Sequence, residues 1–220
     1  MPNWCDNELA IIGPAESLTK FLQGFLPNGL FQQVFPTGIQ KLGSVYNFPG
    51  EDDGLNFEFI VPVPESLRAV DKGSDEMFYR ILHTDESAHF STREEAWEHF
   101  VNRDPRDEDE LRAIAGTYKR NLEEHGYLTW YDFQIKNWGT KWEGQLVSIK
   151  ATSPRRVELR FDTAWSPPEP LILSAAKLFP VLKFDLKYWE GGGGFKGRLT
   201  ILDYHIINKW DDDYCGPRGG

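Results

Sequence analysis

From Gln145 onward the chain alternates apolar and polar residues with a period of two. Val157, Leu159 and Phe161 stand against Glu158, Arg160 and Asp162. Phe184, Leu186 and Tyr188 stand against Lys183, Asp185 and Lys187, and Phe195, Gly197, Leu199 and Ile201 against Lys196, Arg198 and Thr200. Successive side chains of a strand point to opposite faces, so each run predicts a strand with one buried and one wet face. The glycines at 191–194 read as a hairpin turn between the last two runs. Between the first run and the second, Pro167-Pro168 opens a helix with Ile172, Ala175, Ala176 and Phe179 as its core stripe, and Pro180 stops it. Short links between strands impose antiparallel pairing, and the helices must cover one face.

The preceding chain supplies the rest of that sheet. Residues 7–12 read as a strand closed by Gly13-Pro14. Leu18, Phe21, Leu22 and Phe25 then fall at the spacing of one helix stripe, stopped by Pro27-Asn28-Gly29. Residues 28–55 read as a long loop with a short strand at 31–35, and residues 56–61 as a second strand ended by Pro62-Val63-Pro64. Residues 67–126 change to helical periodicity. Ser74 is placed to cap a helix, Ser91-Thr92-Arg93-Glu94 fits a capping box, and Asp107 with Glu110 starts a third helix that Gly126 ends. The expected fold is α+β, a mostly antiparallel, ferredoxin-like sheet with a helical insertion. Its parts are residues 1–66 (strand, helix, strand), 67–126 (acidic helical insertion), 127–210 (C-terminal ferredoxin-like part) and 211–220 (polar tail).

Charge narrows the partners. The chain carries a net −10, and residues 1–126 hold 11 Lys and Arg against 23 Asp and Glu, a net −12. Such a surface repels nucleic-acid phosphates and membrane headgroups, and it either suits a partner protein with a basic surface or only keeps the protein soluble. No apolar run approaches the roughly 18 residues of a membrane span, and no signal peptide precedes the first strand pattern. Cys5 and Cys215 form neither a disulfide framework nor a zinc ligand set, which points to a cytoplasmic protein. No metal and no cofactor are expected. His83, Asp85, Glu86 and His89 match no common ligand spacing, and 191–194 lacks the Gly-Lys-Ser/Thr of a phosphate loop.

Four of the eight tryptophans, Trp130, Trp138, Trp142 and Trp165, fall within 36 positions. Residues 127–138 have helix character, and Gly139 supplies the positive φ that ends a helix. A tryptophan brings a large apolar ring and one N–H donor, which suits a pocket dry on one side and polar on the other. Lys141 is placed to neutralise an anion there, and Asp132 and Asn137 to orient it. The competing reading makes each ring part of the core. Ser166-Pro167-Pro168-Glu169 has capping-box form.

Five blocks then carry a family likeness: Met1-Pro2-Asn3-Trp4-Cys5-Asp6-Asn7, Pro62-Val63-Pro64, Asn137-Trp138-Gly139-Thr140-Lys141-Trp142, Phe161-Asp162-Thr163-Ala164-Trp165-Ser166-Pro167-Pro168 and Tyr188-Trp189-Glu190-Gly191. In these blocks the chain resembles the YubB-type and Api-like proteins of phages and conjugative plasmids. The likeness leaves out residues 67–126. It implies a ferredoxin-like C-terminal region and a home on mobile elements, and it carries over no activity and no catalytic residue. The binding residues expected on these grounds are Trp130, Asp132, Asn137, Trp138, Lys141, Trp142, Trp165 and Glu190. The favoured function is a non-enzymatic accessory protein that binds a host or phage protein, or a small ligand, with counter-defence as one such role. Two rivals stand beside it. One is single-stranded nucleic-acid binding, since aromatics on a ferredoxin-like sheet can stack bases. The other is an enzyme with Asp132, Lys141 and Glu190 as acid–base groups.

Overall fold

A computed structural model describes residues 3–40, 45–48, 54–70, 73–84 and 90–216 of the chain. They form two compact units, Met1–Pro62 with Ile135–Gly220, and Val63–Gln134. The strands are β1 (Trp4–Ile12), β2 (Tyr46–Asn47), β3 (Gln145–Ser153), β4 (Arg156–Ala164), β5 (Lys183–Glu190), β6 (Phe195–Leu202) and β7 (His205–Asp213). The helices are α1 (Ala15–Phe25), α2 (Leu30–Val34), α3 (Glu65–Arg68), α4 (Ser74–His83), α5 (Arg93–Val101), α6 (Glu108–His125), α7 (Trp130–Asn137) and α8 (Glu169–Leu178).

The first unit is one antiparallel sheet in the order β2-β3-β4-β1-β5-β6-β7. With β4 between them, β1 and β3 run parallel; with β1 between them, so do β4 and β5. That is the split βαβ of the ferredoxin-like fold, used twice, with α1 and α8 as crossovers. Strand alternation sends Leu9, Ile11, Val157, Leu159, Phe161, Phe184, Leu186, Leu199 and Ile201 into the core. The α1 stripe closes on them, and the Phe21 ring meets Phe184 and Phe179 edge-on, each at 5.3 Å. Fully burying each such side chain contributes about 1.5–3 kcal/mol. The opposite face of the sheet keeps the polar half of the alternation.

Several local expectations are corrected. Residues 56–61 do not pair as a strand. Phe57–Phe59 form a 3-10 turn, because the Asn56 side chain accepts from the Phe59 N–H at 3.0 Å and Phe57 is buried between Phe25, Phe161 and Trp138. Residues 31–35 lie mostly in the short helix α2, with Leu30, Phe31 and Val34 on its buried side. Ser166 does not cap α8. Its N-cap is Pro168, without a side-chain cap, and the Ser166 hydroxyl is turned to Gly139 instead. The expected tail from Asp211 begins inside β7, where Lys209 pairs with Glu169, Asp211 with the Tyr188 hydroxyl, and Asp212 with Lys196 at 3.5 Å. Polar residues suit this position because β7 is an edge strand, exposed along its length.

The second unit is helical. Phe78, Tyr79, Ile81, Trp97, Leu111, Ala115 and Tyr118 form its core. Asp107 caps α6 by accepting from the Glu110 N–H at 2.8 Å, and Gly126 ends it at φ 78°. Thr92, not Ser91, caps α5. It accepts from the Glu95 N–H, and the Glu95 carboxylate returns to the Ser91 N–H, so the box sits one residue later than expected. Arg106 clamps Asp75 of α4 and Asp104, at 2.6 and 2.8 Å. Among the described residues, no helix is long and apolar enough to cross a membrane.

Candidate functional site

The site is built where the ends of β1 and β4 meet the loop after α7. A relay of short hydrogen bonds fixes it. Asn7 donates to the Thr163 hydroxyl at 2.9 Å, and Thr163 donates to the Ser166 carbonyl at 2.8 Å. Ser166 donates to the Gly139 carbonyl at 2.6 Å, and Thr140 donates back to the Ala164 carbonyl at 3.0 Å. Asn7, Thr140 and Thr163 are buried, so the Asn7–Thr163 and Thr140–Ala164 bonds are made away from competing water. Gly139 has φ 87°, and an added Cβ would lie 2.6 Å from the Pro170 ring and 2.8 Å from the Pro167 carbonyl. Only glycine meets both demands.

This frame presents tryptophans outward. Trp165 has φ 65°, a left-handed conformation that is a true outlier for a bulky side chain. Its N–H donates to the Asn3 carbonyl at 2.9 Å, and the residue remains 41% exposed. The strained turn therefore does not serve burial of the ring. The Trp142 ring lies 6.1 Å from Trp165 and 6.4 Å from Trp4. Lys141 stands over the pair, its Nζ 4.7 Å from the Trp142 centroid and 5.6 Å from that of Trp165. Cation–π contacts at these distances hold the ammonium over rings of which Trp142 is half-buried and Trp165 exposed.

The other expected site residues are distributed differently. Trp138 is 1% exposed, stands edge-on to Phe57 at 5.6 Å and donates its indole N–H to the Val61 carbonyl at 2.8 Å. It is a core residue beneath the loop. Asn137, half-buried, ends α7 just before it. Trp130 and Asp132 belong to the helical unit, where Trp130 packs on Tyr131 at 6.0 Å and Thr129 donates to the Asp132 carboxylate at 3.2 Å. Glu190 is buried at the end of β5, and its two carboxylate oxygens receive the Gly192 and Gly193 N–H groups, which closes the turn at 191–194. His83 stacks near Tyr79, and residues 85–89 lie outside the described ones. Among the described residues, no group of three or more His, Cys, Asp or Glu is arranged to hold a metal ion.

Two features escaped the sequence reading. Trp4 joins the cluster because the β1–β4 register sets it opposite Ala164, next to Trp165 in the chain. The same register sets Asp6 opposite Asp162. Burial and the facing Asp6 carboxylate push the Asp162 carboxyl up to about 6, while Arg160 pulls it down less strongly. Burial raises Asp6 as well. The outward phase of Asp162 was legible, but its partner depends on register. On the buried face of β1, burial pushes the Cys5 thiol far up, so it is inert as a nucleophile.

Residues 137–215 match the family model described as the ferredoxin-like domain in Api92-like protein. A crystal structure of a protein api92 from Yersinia pseudotuberculosis is similar over 99% of this chain and 100% of its own, at 16% identity and a TM-score of 0.47. No curated protein matches the chain. The segment that builds most of the sheet and carries Lys141, Trp142 and Trp165 is thus similar to the ferredoxin-like domain found in Api92-like proteins.

Proposed function

We propose that the chain is a non-enzymatic binding protein that engages a protein or a small ligand through the surface of Trp4, Lys141, Trp142 and Trp165. The observation that carries this reading is Trp165. A left-handed tryptophan costs of order 1–3 kcal/mol, and the surrounding hydrogen bonds spend that strain on an exposed ring. Rigid, partly exposed tryptophans beside a cation are what a recognition surface uses, since they bring large contact area at little entropic cost. The resemblance to phage and plasmid proteins supports a setting on a mobile genetic element. There the chain would act in the host cytoplasm on a host or phage protein with a basic surface, with counter-defence as one such role.

The test is a native pulldown with mass spectrometry of the protein and small-molecule fractions, run with the wild type, Trp142→Ala and Lys141→Ala. A partner recovered by the wild type and lost from both variants, at unchanged melting temperature, supports the proposal. A partner retained by both places recognition elsewhere. Single-stranded nucleic-acid binding is the second reading, favoured by Trp4 and Trp189 on the sheet face away from α1 and α8. The carboxylates of Asp6, Glu8 and Asp162 stand among them on that face and weigh against it. A sub-micromolar Kd for random single strands at about 150 mM salt, with a steep salt slope, would promote this second reading.

A further inference from the structure

The face of the sheet turned away from α1 and α8 forms an open concavity of about 750 Å³, within the range of small-molecule sites. Its floor is low because Ala10, on the central strand, stands between Glu158 and Asp185 and is surrounded by long side chains. Five cations line it: Lys150, Arg156, Arg160, Lys187 and Arg198. Three carboxylates face them: Glu8, Glu158 and Asp185. In a chain of net charge −10 this patch carries a surplus of two positive charges.

The ion pairing within the patch decides what it can take. Arg198 holds Asp185 with two bonds of 2.7 and 2.6 Å, and Arg156 holds Glu158 at 2.9 Å. Two of the three carboxylates are thereby neutralised. Arg160 is left between Asp6 and Glu8, 3.8 Å from each, beyond hydrogen-bonding distance. Lys150 and Lys187 are exposed and make no ion pair among the described residues. Register places Arg160, Glu8, Lys187 and Arg198 in one row across β4, β1, β5 and β6. Arg160 and Lys187 thus flank Glu8 in one row with donors unspent, and Lys150 lines the same hollow from β3. The facing carboxylates Asp6 and Asp162 bound this zone on the side toward Trp4, so a polyphosphate chain continuing that way would meet negative charge.

We propose that this concavity binds a small organic anion with two or three negative charges, a polycarboxylate or a phosphate compound, through Arg160, Lys187 and Lys150. It is a different site from the tryptophan surface, about 13 Å along β1 from Trp4 to Glu8. Isothermal titration calorimetry at constant ionic strength, with citrate and pyrophosphate as probes, tests it. At least one probe binds with a Kd below about 1 mM. The double variant Arg160→Gln, Lys187→Gln weakens it at least about tenfold, because two charge-assisted contacts are lost. Trp142→Ala and Lys20→Gln, which lie outside the concavity, leave it unchanged. Tighter citrate binding identifies carboxylate as the preferred chemistry, and tighter pyrophosphate binding identifies phosphate; either supports the site. Circular dichroism melting checks the double variant, and Lys150→Gln replaces it if it does not fold. The proposal is overturned if both probes bind more weakly than about 1 mM. It is overturned equally if Lys20→Gln weakens binding as much as the double variant, or if oligothymidylate binds at least ten times tighter than either probe.

Discussion

The Ser166 hydroxyl donates to the Gly139 carbonyl at 2.6 Å, and this one bond ties the loop after α7 to the start of α8. Ser166→Ala should cost about 1 kcal/mol and leave the Gly139 carbonyl without that donor. Gly139→Ala should cost more, since it adds positive-φ strain to a collision with Pro167 and Pro170. Urea unfolding measures both. Equal and negligible losses would show that the loop is not held in this way.

Asp162 sets a pH dependence. Its folded carboxyl titrates near 6, above the ordinary carboxylate value near 3.9, so the folded state binds the extra proton between those limits. Its contribution is therefore fully favourable below about pH 4 and is lost as pH rises through about 6. Asp162→Asn removes a half-buried charge and its repulsion with Asp6, and should stabilise the protein at pH 7 by about 1 kcal/mol after solvent screening, with little gain at pH 4. Thermal unfolding across pH 4–7.5 checks the sign. A variant less stable than the wild type at pH 7 would contradict the assignment.

Trp138 and Lys141 separate core from surface. Trp138→Ala should cost about 3–5 kcal/mol, since it empties the space beside Phe57 and leaves the Val61 carbonyl unpaired. Lys141→Ala should shift stability by less than about 1 kcal/mol. Its signature should instead be optical, a change in emission from Trp142 and Trp165 when the nearby ammonium is removed. Identical melting losses for the two variants would place Lys141 in the scaffold.

The two thiols should behave as different species. Cys215 is exposed, whereas Cys5 is buried with its thiol held protonated. A thiol reagent should label one cysteine per folded chain quickly and the second only on unfolding. Rapid labelling of Cys5 in the native protein would mean that the β1–β4 seam opens.

Legibility followed the range of the interactions involved. The alternation in β4 needed no partner to be read, because period two is a property of the strand alone. The same held for the α1 stripe and for the Asp107 cap. Phe57, Phe59 and Val61 also alternate, yet they turn, because Asn56 and the burial of Phe57 under Trp138 outweigh the pattern. Asp211 to Asp213 looked like a tail because an edge strand can be polar on both faces. In the site, Trp142, Trp165 and Lys141 were near in sequence and are near in space. Trp4 and the Asp6–Asp162 pair depend on strand register across more than 150 residues, which no local pattern encodes.

Placing β1 at the middle of the sheet has a consequence for biosynthesis. Its two neighbours, β4 and β5, are drawn from residues 156–190, so β1 leaves the ribosome with both edges unsatisfied. At roughly 5–20 residues per second, about 7 to 30 seconds pass before either partner is made. Through that interval Leu9 and Ile11 lack the sheet that will bury them. Stalling translation before residue 156 should therefore yield a chain that aggregates or needs a chaperone rather than a partial domain.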